Sequence, residues 1–158
     1  MYFSQQTLQK LDKRIRIHKA IDAAAVIAAL CVGVLLCVFA NHGNKNIMLV
    51  VSCVVAVAVG WFVIADIYLV ILPSKCQARH VEAVNGYEKT LLKCKVVDIK
   101  KVTVTKWISA YDAVVEYDGS TLRLYWNENA GELPFAIGDT VSAVCANGFI
   151  ISCEVFNE

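Results

Sequence analysis

Two runs decide the fold: Ala23–Ala40, AAAVIAALCVGVLLCVFA, and Ile47–Leu72, IMLVVSCVVAVAVGWFVIADIYLVIL. With Ala20 and Ile21 the first reaches the roughly 20 apolar residues that cross the hydrocarbon core of a bilayer. The second has 26 residues with Asp66 as its only charge, long enough to cross with some tilt, and Pro73 is expected to end it. Asn41-His42-Gly43-Asn44-Lys45-Asn46 between them is short, polar and turn-prone, so helices 20–40 and 47–72 are expected to form a transmembrane hairpin over residues 20–73. A basic start, an apolar stretch and Val38-Phe39-Ala40 also resemble a signal peptide with its cleavage site, but the apolar stretch is longer than that pattern requires.

Charge sets the expected orientation. Lys10, Lys13, Arg14, Arg16 and Lys19 precede the first run against Asp12 alone, and Lys75 and Arg79 follow the second, whereas the connecting segment carries only Lys45. Basic flanks stay on the inner side, so a multi-pass cell-membrane protein with both termini cytoplasmic is expected. Within residues 1–19, Leu8, Leu11 and Ile15 recur at helical spacing among the basic residues, the pattern of an amphipathic cytoplasmic segment lying on an anionic leaflet.

Small residues recur at every fourth position: Ala25, Ala29, Gly33 and Cys37 on the first run, Ser52, Ala56 and Gly60 on the second. In lipid, helices associate through close packing rather than a hydrophobic force, and such stripes let two backbones approach, within the hairpin or in a homo-oligomer. Asp22 and Asp66 are the intramembrane acidic residues. Each lies near the cytoplasmic end of its helix, within reach of headgroups or water, and the expected role is interfacial anchoring.

From Leu91 the hydrophobic period changes to two, with Val, Thr, Ile and aromatic residues predominating, so residues 91–158 read as an all-β cytoplasmic domain. Residues 74–90 read as a linker in which Ala78–Val84 suits either a short helix or an edge strand. Asp118-Gly119 predicts a two-residue hairpin turn that sets Val115 opposite Leu122, Ala113 opposite Leu124 and Tyr111 opposite Trp126 on one face. For the last hairpin a two-residue Asn147-Gly148 turn mixes the faces. A three-residue loop, Ala146-Asn147-Gly148, is therefore expected, aligning Val141, Ala143 and Cys145 with Cys153, Ile151 and Phe149. Strands near Leu91–Ile99 and Lys101–Lys106, with a bulge at Val96-Val97, bring the expectation to a small five- or six-stranded barrel, OB-like or SH3-like.

Three segments carry a resemblance. Ala113–Gly119 (AVVEYDG), Phe135–Val144 (FAIGDTVSAV) and Gly148–Val155 (GFIISCEV) resemble the C-terminal barrel of NfeD-like bacterial membrane proteins, over about 45 residues. Those proteins likewise tether an OB-type barrel to membrane helices. This chain lacks their fuller set of helices and the Gly-rich opening strand of many members. The resemblance implies a non-enzymatic partner of a membrane protease or a stomatin-like protein.

Residues 81–158 carry seven basic and eleven acidic side chains, without the positive footprint of a nucleic-acid binder. The seven cysteines form no Cys-x-x-Cys pair and suit a reducing compartment. His18, His42 and His80 have no metal-ligand spacing, and no phosphate loop or nucleophile elbow is present, so no catalytic residue, cofactor, metal or small-molecule substrate is expected. Trp107, Tyr125, Asn127, Glu128 and Glu132 form the candidate partner surface. The expected function is a membrane-anchored scaffold that presents the barrel to another membrane protein or a second copy; the alternative is a small accessory subunit of a transporter or channel.

Overall fold

The computed structural model describes residues 2–40 and 43–156. Two compact units divide the chain: Asp12–Lys75, and the segment through Leu11 taken together with the chain from Cys76 onward.

Helix α1, Gln5–Val38, begins at a built cap. The Ser4 hydroxyl accepts from the Thr7 amide at 3.2 Å, and Phe3 and Leu8 flank that cap at the spacing of a hydrophobic staple. Helix α2, Lys45–Asp66, runs without interruption into a π-helical turn, Ile67–Ile71, and then into α3, Leu72–Asn85. Both helical runs, 34 and 41 residues, are long and apolar enough to cross a membrane. Pro73 does not end the helix as the sequence suggests. Its missing N–H and its ring conflict with the carbonyl four residues back, and the wider turn just before it absorbs that conflict, with the Leu72 amide reaching Ile67 O. Ala78–Val84, open between helix and strand in the sequence, lies within α3.

The β unit is a five-stranded sheet: β1 Thr90–Thr105, β2 Ile108–Tyr117, β3 Ser120–Asn127, β4 Thr140–Ala146 and β5 Phe149–Phe156. The order is β1-β2-β3-β5-β4, and β4 pairs again with β1, so the ladder returns to its start. The two strands expected over residues 91–106 are one. The first half of β1 pairs with β4 and the second with β2, and the expected irregularity lies between Val96 and Asp98, where Val97 is the extra residue. That bulge bends one strand far enough to serve both partners.

The β2–β3 hairpin has the predicted register, Val115 with Leu122, Ala113 with Leu124 and Tyr111 with Trp126. Asp118 and Gly119 sit at φ 48° and 71°, the left-handed pair that matches strand twist. The last hairpin differs from expectation. Its turn is the two-residue Asn147-Gly148, at φ 49° and 76°; Ala146 pairs with Phe149, Cys145 with Ile150 and, past an irregularity, Ala143 with Cys153. The extra residue is Ile151. A two-residue turn mixes the faces only if the ladder stays regular, and one bulge restores the phase.

The inner face of the sheet is buried, and one part of the outer face is covered as well. Inside, Cys94, Val96, Ala113, Val115, Leu124, Trp126, Phe135, Val141, Ala143, Cys145 and Ile150 form the main core. Outside, Val81 and Val84 of α3 and Phe3 pack on Ala110, Ala146, Phe149 and Ile151. This explains why Phe149-Ile150-Ile151 is buried without alternation: Ile150 serves one core and its neighbours the other.

Burial, with Cys94 and Cys153 nearby, pushes the Cys145 thiol up to about 12, from an ordinary value of 9.0. In the unfolded chain the thiol ionises first as pH rises, so the native state loses stability across that window, while below it this group has no effect. Urea unfolding of the full chain in detergent, followed by near-ultraviolet circular dichroism, is expected to show a stability loss between pH 9 and 12 that is shallower in Cys145→Ala; equal slopes would contradict this.

Candidate functional site

Within the helical unit, the residues least accessible on α1 recur every three or four positions: Ile15, His18, Asp22, Ala25, Ala29 and Gly33. On α2 the corresponding set is Ser52, Val55, Val59, Val63 and Asp66. This spacing marks one face of each helix. His18 Nδ1 lies 2.8 and 3.0 Å from the two carboxylate oxygens of Asp66, joining α1 to α2 by a hydrogen-bonded ion pair when His18 is protonated. Asp22 follows His18 by one helical turn on the same face, is 8% exposed, and its Oδ1 has no hydrogen-bond partner among the described residues.

In the sequence His18 shows only a lack of metal-ligand spacing, and Asp22 and Asp66 are expected to anchor at headgroups or water. A signal for the pair was present: residues 18 and 66 are equidistant from residue 42, and an antiparallel hairpin brings such positions side by side. Residues 41 and 42 themselves lie outside the described residues.

Beyond this polar end, α1 and α2 border an apolar cleft of about 930 Å³. Ala29, Gly33, Ser52, Ala56 and Gly60 all line it, as does Cys37, so the two small-residue stripes meet at one groove; Ala25 is half-buried and does not line it. A Cβ added at Gly33 or Gly60 would meet nothing within 4 Å, so these glycines border open space rather than a backbone contact. The Ser52 hydroxyl donates to Met48 O on its own helix at 2.9 Å and does not bridge the cleft.

In the β unit the five residues proposed as a partner surface do not share one face. Tyr125 packs against Phe149 in the outer cluster, ring centroids 5.5 Å apart, and Asn127 is fully buried, its Oδ1 accepting from the Asn129 amide at 2.9 Å. Glu128 pairs with Lys101, Glu132 is exposed, and Trp107 is half-buried in the β1–β2 turn with the Lys106 ammonium 5.0 Å from its ring. Exposed apolar side chains lie elsewhere. Val97 occupies the β1 bulge, and Ile137 sits in the loop that Val96 holds through bonds to Asp139 O and from Gly138 N, both 2.9 Å. Val97 was legible as a bulge but not as a surface feature, because only the tertiary turn brings Ile137 to that end of β1.

The electrostatics of the β unit are those of local pairs. The Lys100 ammonium, 2.8 Å away, holds the Asp98 carboxyl below its ordinary range, and Asp98 in turn raises Lys100. Asp112 is buried with Arg123 3.6 Å from one oxygen. Burial raises the Cys94 and Cys153 thiols, which makes them poorer nucleophiles. Among the described residues no group of three or more His, Cys, Asp or Glu is arranged to hold a metal ion.

The chain matches no protein-family model, no curated protein and no solved structure.

Proposed function

We propose that this chain is a membrane-anchored, non-enzymatic scaffold or accessory protein, crossing a cell membrane twice with both termini cytoplasmic and offering an OB-like barrel to a protein partner. The carrying observation is a contrast between its units. The long helices turn leucine, isoleucine and valine outward, with no residue of α2 buried, whereas the β unit buries an apolar core inside its sheet and a second cluster on part of the outer face. Lipid is the surrounding that suits the first, because a helix satisfies its backbone internally and needs only an apolar medium. The second is finished without lipid and is free to meet protein.

Orientation rests on the basic residues before α1 and after α2. An OB-like rather than SH3-like barrel is favoured by the order β1-β2-β3-β5-β4, the bent β1 shared between two neighbours, and the parallel contact of β3 with β5. The resemblance to NfeD-like proteins supplies the partner class, a membrane protease or a stomatin-like protein. Val97 and Ile137 are the exposed apolar residues of the barrel best suited to that contact.

One observation favours the alternative, a small subunit of a transporter or channel. Asp22, on the shared helix face, is a buried carboxylate with one oxygen unpartnered among the described residues, and such groups mark ion or proton pathways.

Purification in mild detergent separates the two readings. A stoichiometric protease or stomatin-like partner, lost on Val97→Asp with Ile137→Asp, is expected; a transport protein retained through that double substitution would favour the alternative. For topology, a membrane-impermeant thiol reagent should reach the cysteine introduced by Lys45→Cys only from outside and Cys76 only from inside, with the other cysteines replaced. Same-side labelling would refute the hairpin. For the polar pair, Asp66→Asn and His18→Gln are each expected to cost about 1–2 kcal/mol in thermal unfolding of the full chain in detergent, with the double variant no worse than either single. Additive losses would show that the two side chains act independently.

A further inference from the structure

The N-terminal segment of the β unit is seated in a socket. Phe3 is 5% exposed, packed in the cluster formed with Val81, Val84, Ala110, Ala146, Phe149 and Ile151. His80, on α3, completes a three-ring cluster with Phe3 and Phe149: its ring centroid is 5.8 Å from that of Phe3 and 4.4 Å from that of Phe149, both edge to face, and the two phenyl rings are themselves 6.4 Å apart. Among the described residues the buried Nε2 of His80 has no hydrogen-bond partner.

We propose that this arrangement is a proton-sensitive latch: the segment Tyr2–Leu8 is held on the sheet while His80 is neutral and is released when His80 takes a proton. The geometry carries the argument. A neutral imidazole is a flat, largely apolar ring that packs edge to face against both phenyl rings. An imidazolium has two N–H donors to satisfy, and Nε2 points into a place where no protein group accepts from it. Relief comes from moving the lighter wall of the socket. Phe149 is fixed in β5, whereas the Tyr2–Ser4 stretch that carries Phe3 precedes the first turn of α1.

Neighbouring ionisable groups give the charge little help. The titratable groups on the surrounding elements are the Tyr2 hydroxyl from the N-terminal segment, Lys75, Cys76, Arg79 and Glu82 on α3 itself, and the Tyr125 hydroxyl from β3; Lys75 and Arg79 are exposed, and their positive charge gives a protonated His80 no support. Glu82 is exposed, and Asp112 on β2 is engaged by Arg123. Burial lowers the His80 titration below its ordinary range, in agreement with a site built for the neutral ring. The sign follows: the latch is at full strength above the ordinary imidazole value and weakens as pH falls through the lowered one.

Release has a local signature. The Thr7 and Leu8 amides donate to Ser4 O at 3.1 and 3.2 Å, in the turn that Phe3 and Leu8 staple. When Phe3 leaves, that turn frays.

Hydrogen exchange of the full chain in detergent micelles, corrected for the intrinsic pH dependence, tests this. Protection of the Thr7 and Leu8 amides is expected to fall severalfold between about pH 8 and pH 5, and to stay high at both in His80→Phe, which keeps the stacking without the charge. Unchanged protection in the native chain, or an equal fall in His80→Phe, would overturn the proposal. Independently of that variant, histidine side-chain resonances of the native chain report the His80 titration. A midpoint below that of free imidazole, moving upward in Phe3→Ala, supports the latch; a midpoint at or above it, as net stabilisation of the cation by Phe3 and Phe149 would produce, overturns it.

Discussion

A helix that turns leucine, isoleucine and valine outward needs an apolar surrounding, because each Å² of that surface costs about 25 cal/mol in water. The proposed membrane setting of residues 12–75 rests on this constraint. Backbone polar groups along α1 and α2 are satisfied within each helix, so nothing in the backbone opposes such a surrounding. It also changes the meaning of the few polar side chains. Away from water a carboxylate is costly alone, and Asp66 answers this with His18 across the helix pair. Asp22, one turn further on, has an oxygen with no such answer.

The β unit meets the opposite requirement. It has to finish its own surface, and a five-stranded sheet with a single covered face would leave Ala110, Ala146, Phe149 and Ile151 in water. Helix α3 and the segment around Phe3 cover them. Covering both faces at this point removes the need for strict alternation along β5, which is why the Ile151 bulge is tolerated there. The same coverage places His80 against two aromatic rings, a setting in which the proposed latch favours its neutral form. A residue that read as a lone histidine in the chain thereby acquires a context in which protonation has a mechanical consequence.

Much of the architecture was legible because it is local. The length of the apolar runs, the switch of period at Leu91, the left-handed Asp118-Gly119 pair and the bulge near Val97 each depend on a few neighbouring residues, and each follows from helix, strand or turn geometry alone. Of the candidate site, the recurrence of small residues is visible in the chain, but not that Ala29, Gly33, Ser52, Ala56 and Gly60 border an open cleft, since that depends on the separation of two helices. Asn127, expected at the partner surface, is polar and near a loop in the chain, yet the fold buries it.

By itself, then, the amino-acid order determined two apolar helices, a β unit after them and the register of one hairpin, because these follow from short-range periodicity and turn chemistry. Only the tertiary structure decided that the helix runs through Pro73, that Asn147-Gly148 closes a two-residue turn, that His18 meets Asp66, and that Phe3 is seated beside His80. In each case the local signal was ambiguous or unfavourable. A contact or adjustment elsewhere in the fold resolved it: a π turn, a bulge, an opposing helix, or a partly covered outer face of the sheet.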